Sequence, residues 1–198
     1  MANVNAPAGL APVGYMSGAP WNGQLNRYYI AAADTNAYAI GDPVTLSGSA
    51  DAKGVAGVTL MTAGAGFVGV VMGMGGPAYG GMSGDPDSLG LTVIPATKSK
   101  AYYVLVCDDP NVIYKVQEIG TGTALAAAAV GLNCNLVAGA NNGYVSGWLL
   151  DNTTEATTNS LDVKLLGLSQ EPNNDFGAYA KWLVIPNNHL YRGGVTGV

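Results

Sequence analysis

The chain has 198 residues and a mass of 20.0 kDa, with 8 Lys and Arg against 13 Asp and Glu, a formal net charge of -5. Only 11% of its residues are charged, against roughly 25% in an ordinary soluble domain, and 48% are hydrophobic. This balance argues against wrapping of nucleic acid, which needs clustered Lys and Arg for phosphate contacts, and the single histidine excludes a multi-histidine metal centre.

Residues 1–25 read as an extended N-terminal arm. Pro7, Pro12 and Pro20 alternate with Gly9, Gly14, Gly18 and Gly23, which blocks helix. Leu10, Val13, Tyr15, Met16, Trp21 and Leu25 make the arm too apolar for an indifferent linker. Two paths stay open for it: folded back over its own domain, or laid across a neighbour. Its first residues have neither a basic segment nor an unbroken apolar run, so a chain without a signal peptide, made in a cytosol, is expected. No stretch reaches the length of a membrane span.

From residue 26 onward the pattern is one of short strands. Candidates run over 26–31, 43–46, 67–72, 91–94, 102–107, 112–118, 144–150, 161–168 and 181–185, divided by Gly, Pro, Asn and Asp. Asp108-Asp109-Pro110-Asn111 is a strong turn signal, predicting a hairpin or a sheet corner between the strands on either side. Over 112–118, Val112, Tyr114 and Val116 fall on one face. Over 161–168, Leu161, Val163 and Leu165 face one way, with Asp162 and Lys164 opposite. The stretch 123–131 is the single helix-like segment, two turns at most, with Gly131 as its stop. Residues 73–86 hold six glycines and two prolines and read as a loop. The fold class is all-β: residues 26–198 form a single β-sandwich or barrel, jelly-roll-like, carrying the arm.

The inventory offers little for catalysis. His189 stands alone, no serine lies in a Gly-x-Ser-x-Gly elbow, and the glycine-rich loop lacks the Lys-Ser/Thr ending of a phosphate loop. Cys107 and Cys134 can pair only if two strands meet, and two buried thiols are the favoured reading. Asp108 and Asp109 are adjacent, so their side chains diverge in a strand, whereas glycosidase chemistry wants two carboxyl groups flanking one bond. Asp85, Asp87 and Asp109 lack the spacing of a calcium loop. A protein without enzymatic activity, cofactor or metal is therefore expected.

Ala2-Asn3-Val4-Asn5-Ala6-Pro7-Ala8-Gly9-Leu10-Ala11-Pro12-Val13, followed by Pro20-Trp21-Asn22-Gly23 and Tyr28-Tyr29-Ile30, resembles small structural proteins encoded beside the major capsid gene of tailed bacteriophages. Further similarity runs through Gly41-Asp42-Pro43-Val44, Val104-Leu105-Val106-Cys107-Asp108-Asp109-Pro110, Val130-Gly131-Leu132-Asn133 and the segment from Ala180 through Trp182 to His189. The family resembled is that of head decoration, or cement, proteins. The resemblance implies a virion protein on the outer surface of the capsid, holding neighbouring capsomers together. Its partners would be the major capsid protein and copies of itself, with a dimer slightly favoured over a trimer, and neither nucleic acid nor membrane is a direct partner. The residues expected to make such contacts are Tyr15, Trp21 and Tyr28 of the arm region and Met74, Tyr79 and Met82 of the loop, because aromatics supply area and methionine adapts. The alternative is a carbohydrate-binding β-sandwich module of the virion used in host attachment, with Trp21, Trp148 or Trp182 as a stacking platform; an unrecognised glycosidase is a third class.

Overall fold

The computed structural model describes residues 3–74 and 91–192. They form an all-β fold whose short strands make two principal assemblies. The first is a closed barrel of β2 (Asn26–Ile30), β5 (Ala56–Leu60), β4 (Pro43–Ala50), β6 (Gly69–Met74) and β8 (Tyr102–Cys107), in that order. The second is an open antiparallel sheet of β1 (Ala11–Tyr15), β9 (Val112–Gln117), β14 (Lys181–Pro186), β13 (Val163–Leu168) and β10 (Asn133–Cys134). Two small ribbons complete it, β3 (Tyr38–Ala39) with β7 (Val93–Ile94), and β11 (Leu136–Val137) with β12 (Leu149–Leu150). Among the described residues the strands thus give a closed barrel and an open sheet within an all-β fold.

The Asp108–Asn111 turn is where one assembly passes into the other. β8 closes the barrel against β2 and β6, and β9 enters the open sheet between β1 and β14, so the turn is a sheet corner and not a hairpin. Strand periodicity then sets the core. Val112, Tyr114 and Val116 of β9, Trp182 and Val184 of β14, and Val163 and Leu165 of β13 are all buried in one cluster. Tyr28, Ile30, Val44, Val71, Val104 and Val106 fill the barrel. β6 is covered on both sides, for Val70 belongs to the first cluster and its neighbour Val71 to the second. Each fully buried large side chain stabilises the fold by about 1.5–3 kcal/mol relative to exposure.

The arm lies on its own domain. Pro12 is tolerated in β1 because this strand is the edge of the open sheet, and a bulge between Pro12 and Gly14 lets the pairing resume. Just upstream, the Leu10 amide donates to the Gly41 carbonyl at 3.0 Å. Gly9 has φ +65, and a Cβ there would meet the Gly41 oxygen at 2.3 Å. Only glycine permits this crossing, which seats Leu10 in the core with no exposed surface.

Several local expectations give way to tertiary context. The helix expected over 123–131 is a single 3-10 turn, Ala127–Ala129, whose preceding residue Ala126 is extended and offers no side-chain cap. Asp162 does not face solvent: it is fully buried, and its carboxylate accepts the amides of Gly64 and Leu136. The strand expected over 144–150 is reduced to Leu149–Leu150 and a bridge from Ile40 to Val145.

Candidate functional site

The sheet corner opens onto a surface depression of about 310 Å³ lined by Tyr15, Gln24, Asn26, Asp108, Asp109 and Tyr191, among others. Tyr15 ends β1, Asn26 begins β2, and the two aspartates form the turn after β8, so this corner gathers the arm, the barrel and the open sheet. The Asp108 carboxylate accepts the Asn26 amide at 2.9 and 3.1 Å and the Tyr28 hydroxyl at 2.6 Å. The Tyr28 oxygen lies 3.2 Å from the Tyr191 hydroxyl. Burial, and then the hydrogen bond to Asp108, raise the Tyr28 phenol well above the ordinary tyrosine range, so it stays a donor. Across the depression the Tyr15 hydroxyl donates to Asn22 Oδ1 at 2.9 Å, and Asp109 Oδ1 accepts the Asn111 amide.

The residues singled out for contact do not share one fate. Tyr15 reaches the depression. Tyr28 is buried in the barrel core and touches the site only through its hydroxyl. Trp21 is half-buried against the core of the open sheet, its indole N–H without a hydrogen-bond partner. Met74 ends β6, pairs with Val104 and packs on the barrel core, away from the residues lining the depression. Tyr79 and Met82 lie outside the described residues. Tyr191, which is 48% exposed, is not among the contact residues expected from sequence. Its only signal is an aromatic shortly after the last strand, brought to the corner by the bridge between Phe67 and His189.

The surroundings of the other reactive groups are structural. His189 is buried between the rings of Phe67 and Tyr191, and its Nδ1 accepts the Tyr191 amide at 3.1 Å. Burial, with Arg192 nearby, pushes its pKa down to about 4, so the ring is neutral at physiological pH. Cys107 and Cys134 are free and buried, and burial pushes both thiols up, Cys134 to about 12, which removes them as nucleophiles. Among the described residues no group of three His, Cys, Asp or Glu side chains is placed to hold a metal ion. Asp85 and Asp87 lie outside the described residues. Trp148 and Trp182 are core residues, 3% and 0% exposed, which overturns their part in a stacking platform for sugars.

Comparison with protein-family models, curated proteins and solved structures finds no match. No helix among the described residues is long and apolar enough to cross a membrane.

Proposed function

We propose that this chain is a bacteriophage capsid decoration protein, which binds the outer surface of the head and bridges neighbouring capsomers. The reading rests on the resemblance of its arm, corner and C-terminal segments to that family. The structural observation that supports it is the tyrosine-flanked depression at the sheet corner. Here half-buried and exposed side chains from three parts of the fold converge as contact surface, while the histidine, both thiols and two of the three tryptophans are buried. In this proposal the barrel and the open sheet together make the single jelly-roll-like body that carries the contact surface. The partners are the major capsid protein and further copies of this chain, a dimer ahead of a trimer. Many weak contacts repeated over a shell add up, since each must break before capsomers separate.

Cryo-electron microscopy of heads mixed with the purified protein tests this directly. Ordered density between capsomers is expected; absence of the protein from heads, or its presence at tail tips alone, would overturn the proposal. A carbohydrate-binding role keeps one specific point in its favour. Tyr191 stands between the depression and a second hollow over the β4–β5 hairpin, a path lined by hydroxyl, amide and carboxylate groups suited to a saccharide. Binding on a glycan array that Tyr191→Ala abolishes would favour that role.

A further inference from the structure

The chain contains two Asn-Gly pairs, Asn22-Gly23 and Asn142-Gly143, and the sequence alone ranks them equally. Their structural settings match in several respects. Both asparagines are exposed, and both glycines are left-handed, with φ +82 at Gly23 and +88 at Gly143. Each Asn Oδ1 accepts two hydrogen bonds: Asn22 from the Tyr15 hydroxyl at 2.9 Å and the Gln24 amide at 3.1 Å, Asn142 from the amides of Tyr144 at 3.0 Å and Val145 at 2.9 Å. The difference lies in the backbone nitrogen that follows. Gly143 N–H donates to Asn141 Oδ1 at 3.1 Å, whereas Gly23 N–H makes no hydrogen bond to any described residue.

We infer that Asn22 is a site of spontaneous deamidation, and that Asn142 is protected by the Asn141 side chain. In this reaction the Gly23 nitrogen attacks Asn22 Cγ and closes a five-membered succinimide. The Cγ–Nδ2 bond breaks, and ammonia leaves with the proton given up by Gly23 N–H. Solvent water then opens the ring at either carbonyl, giving aspartate or isoaspartate. Negative charge develops on Oδ1 as the ring closes, and at Asn22 the Tyr15 hydroxyl and the Gln24 amide are aimed at that oxygen. At Asn142 two backbone amides serve the oxygen in the same way, but the attacking nitrogen is anchored on Asn141 Oδ1, so closure must break a hydrogen bond first. Losing one such bond slows a step by about fivefold. The product places a new carboxylate one hydrogen bond from Tyr15, beside a depression that already holds Asp108 and Asp109. Isoaspartate in addition lengthens the backbone between Trp21 and Gln24. Deamidation therefore makes a slow, irreversible change at the rim of the candidate contact site, whatever that site binds.

The full-length protein, held in mildly alkaline buffer and sampled for peptide mass spectrometry, provides the test. The Asn22 peptide should gain the acid mass about fivefold faster than the Asn142 peptide. In concentrated urea the two rates should converge, and in the folded Asn141→Ala variant the Asn142 rate should rise towards that of Asn22. Equal or faster conversion at Asn142 in the folded protein overturns the inference. So does the same ratio in urea, which would assign the preference to sequence alone, or an unchanged Asn142 rate in the Asn141→Ala variant.

Discussion

The indole N–H of Trp182 donates to Glu118 Oε2 at 3.0 Å in a place where neither side chain has exposed surface. Oε2 also accepts the Leu125 amide at 3.3 Å, while Oε1 has no partner, and neither does Asn152 Oδ1. A protonated Glu118 has a donor to offer such an acceptor. Burial raises its carboxyl to about 7, against the hydrogen bonds from Trp182 and Leu125 and the nearby Asn152 amide, which favour the charged form, with Glu155 adding to the rise. The unfolded chain ionises near 4.5. Between these values the unfolded state has released a proton that the folded state keeps, so this group makes stability fall as pH rises from 4.5 and level off above about 7. Glu118→Gln keeps an acceptor for Trp182 and supplies a neutral donor. Thermal unfolding should show the variant more stable than the parent above neutrality, with the gain vanishing below 4.5. A gain independent of pH would contradict this account.

Leu10 anchors the arm. Leu10→Ala should cost about 2–5 kcal/mol in denaturant unfolding, the usual range for a cavity in a packed core. A loss below about 0.5 kcal/mol, the size of an ordinary surface substitution, would mean that the arm is dispensable to the fold.

Tyr28→Phe removes the hydroxyl that joins the barrel to the corner carboxylate at 2.6 Å. A hydrogen bond to a charged group contributes about 1.5–3 kcal/mol, and the loss should be much smaller when Asp108 is already Asn. Additive losses in the double-mutant cycle would show that the two residues act independently.

Lys98 supplies a buried ammonium for the segment between β2 and β3. Its Nζ donates to the carbonyls of Asp34 at 2.7 Å and Asn36 at 2.6 Å and lies 3.3 Å from Asp34 Oδ1, with the lysine side chain wholly shielded. Opposing the desolvation of burial, the Asn36 amide, the Thr59 and Tyr38 hydroxyls and Lys98 hold the Asp34 carboxyl below its ordinary value. Lys98→Met leaves the Asp34 carboxylate with its donors from Asn36, Tyr38 and Thr59 but without a counter-charge, and takes the donor from the Asp34 and Asn36 carbonyls, so it should destabilise by about 1–3 kcal/mol at neutral pH. The penalty should shrink as acid protonates Asp34; a penalty constant with pH would place the role of Lys98 in the carbonyl contacts and packing alone.

If the corner is the capsid contact, Tyr191→Ala should weaken affinity for heads by at least about fivefold, the effect of losing an aromatic contact worth more than about 1 kcal/mol, while leaving the unfolding midpoint nearly unchanged. Affinity is read by quantifying protein bound to purified heads across a titration. Unchanged affinity with intact folding would move the contact elsewhere on the surface.

Much of this architecture is legible before any coordinate is seen. Alternation along β9 and β13 places Val112, Tyr114, Val116, Val163 and Leu165 inside, because the pleat sends successive side chains to opposite faces. The Asp-Asp-Pro-Asn signal marks the corner, since those residues satisfy turn amides and end a strand. Alternation does not say which faces are covered, however. Val70 and Val71 are buried on opposite sides of one strand, and Asp162 is buried on the face read as polar, because the barrel and the loop around Gly64 close over them. The strands β1 and β5 escape local reading for a related reason. Pro12 and Gly57 disfavour strands in isolation; β1 is fixed by its pairing with distant β9, and β5 by antiparallel pairing with β4 together with the parallel pair Tyr29–Gly57. Composition and local pattern alone carry the wealth of strand formers, the breaks between them and the poverty of catalytic groups. Only the assembled fold turns Tyr28 inward and sets Tyr15 and Tyr191 on the lining of one surface depression, since burial follows from what the rest of the chain brings alongside.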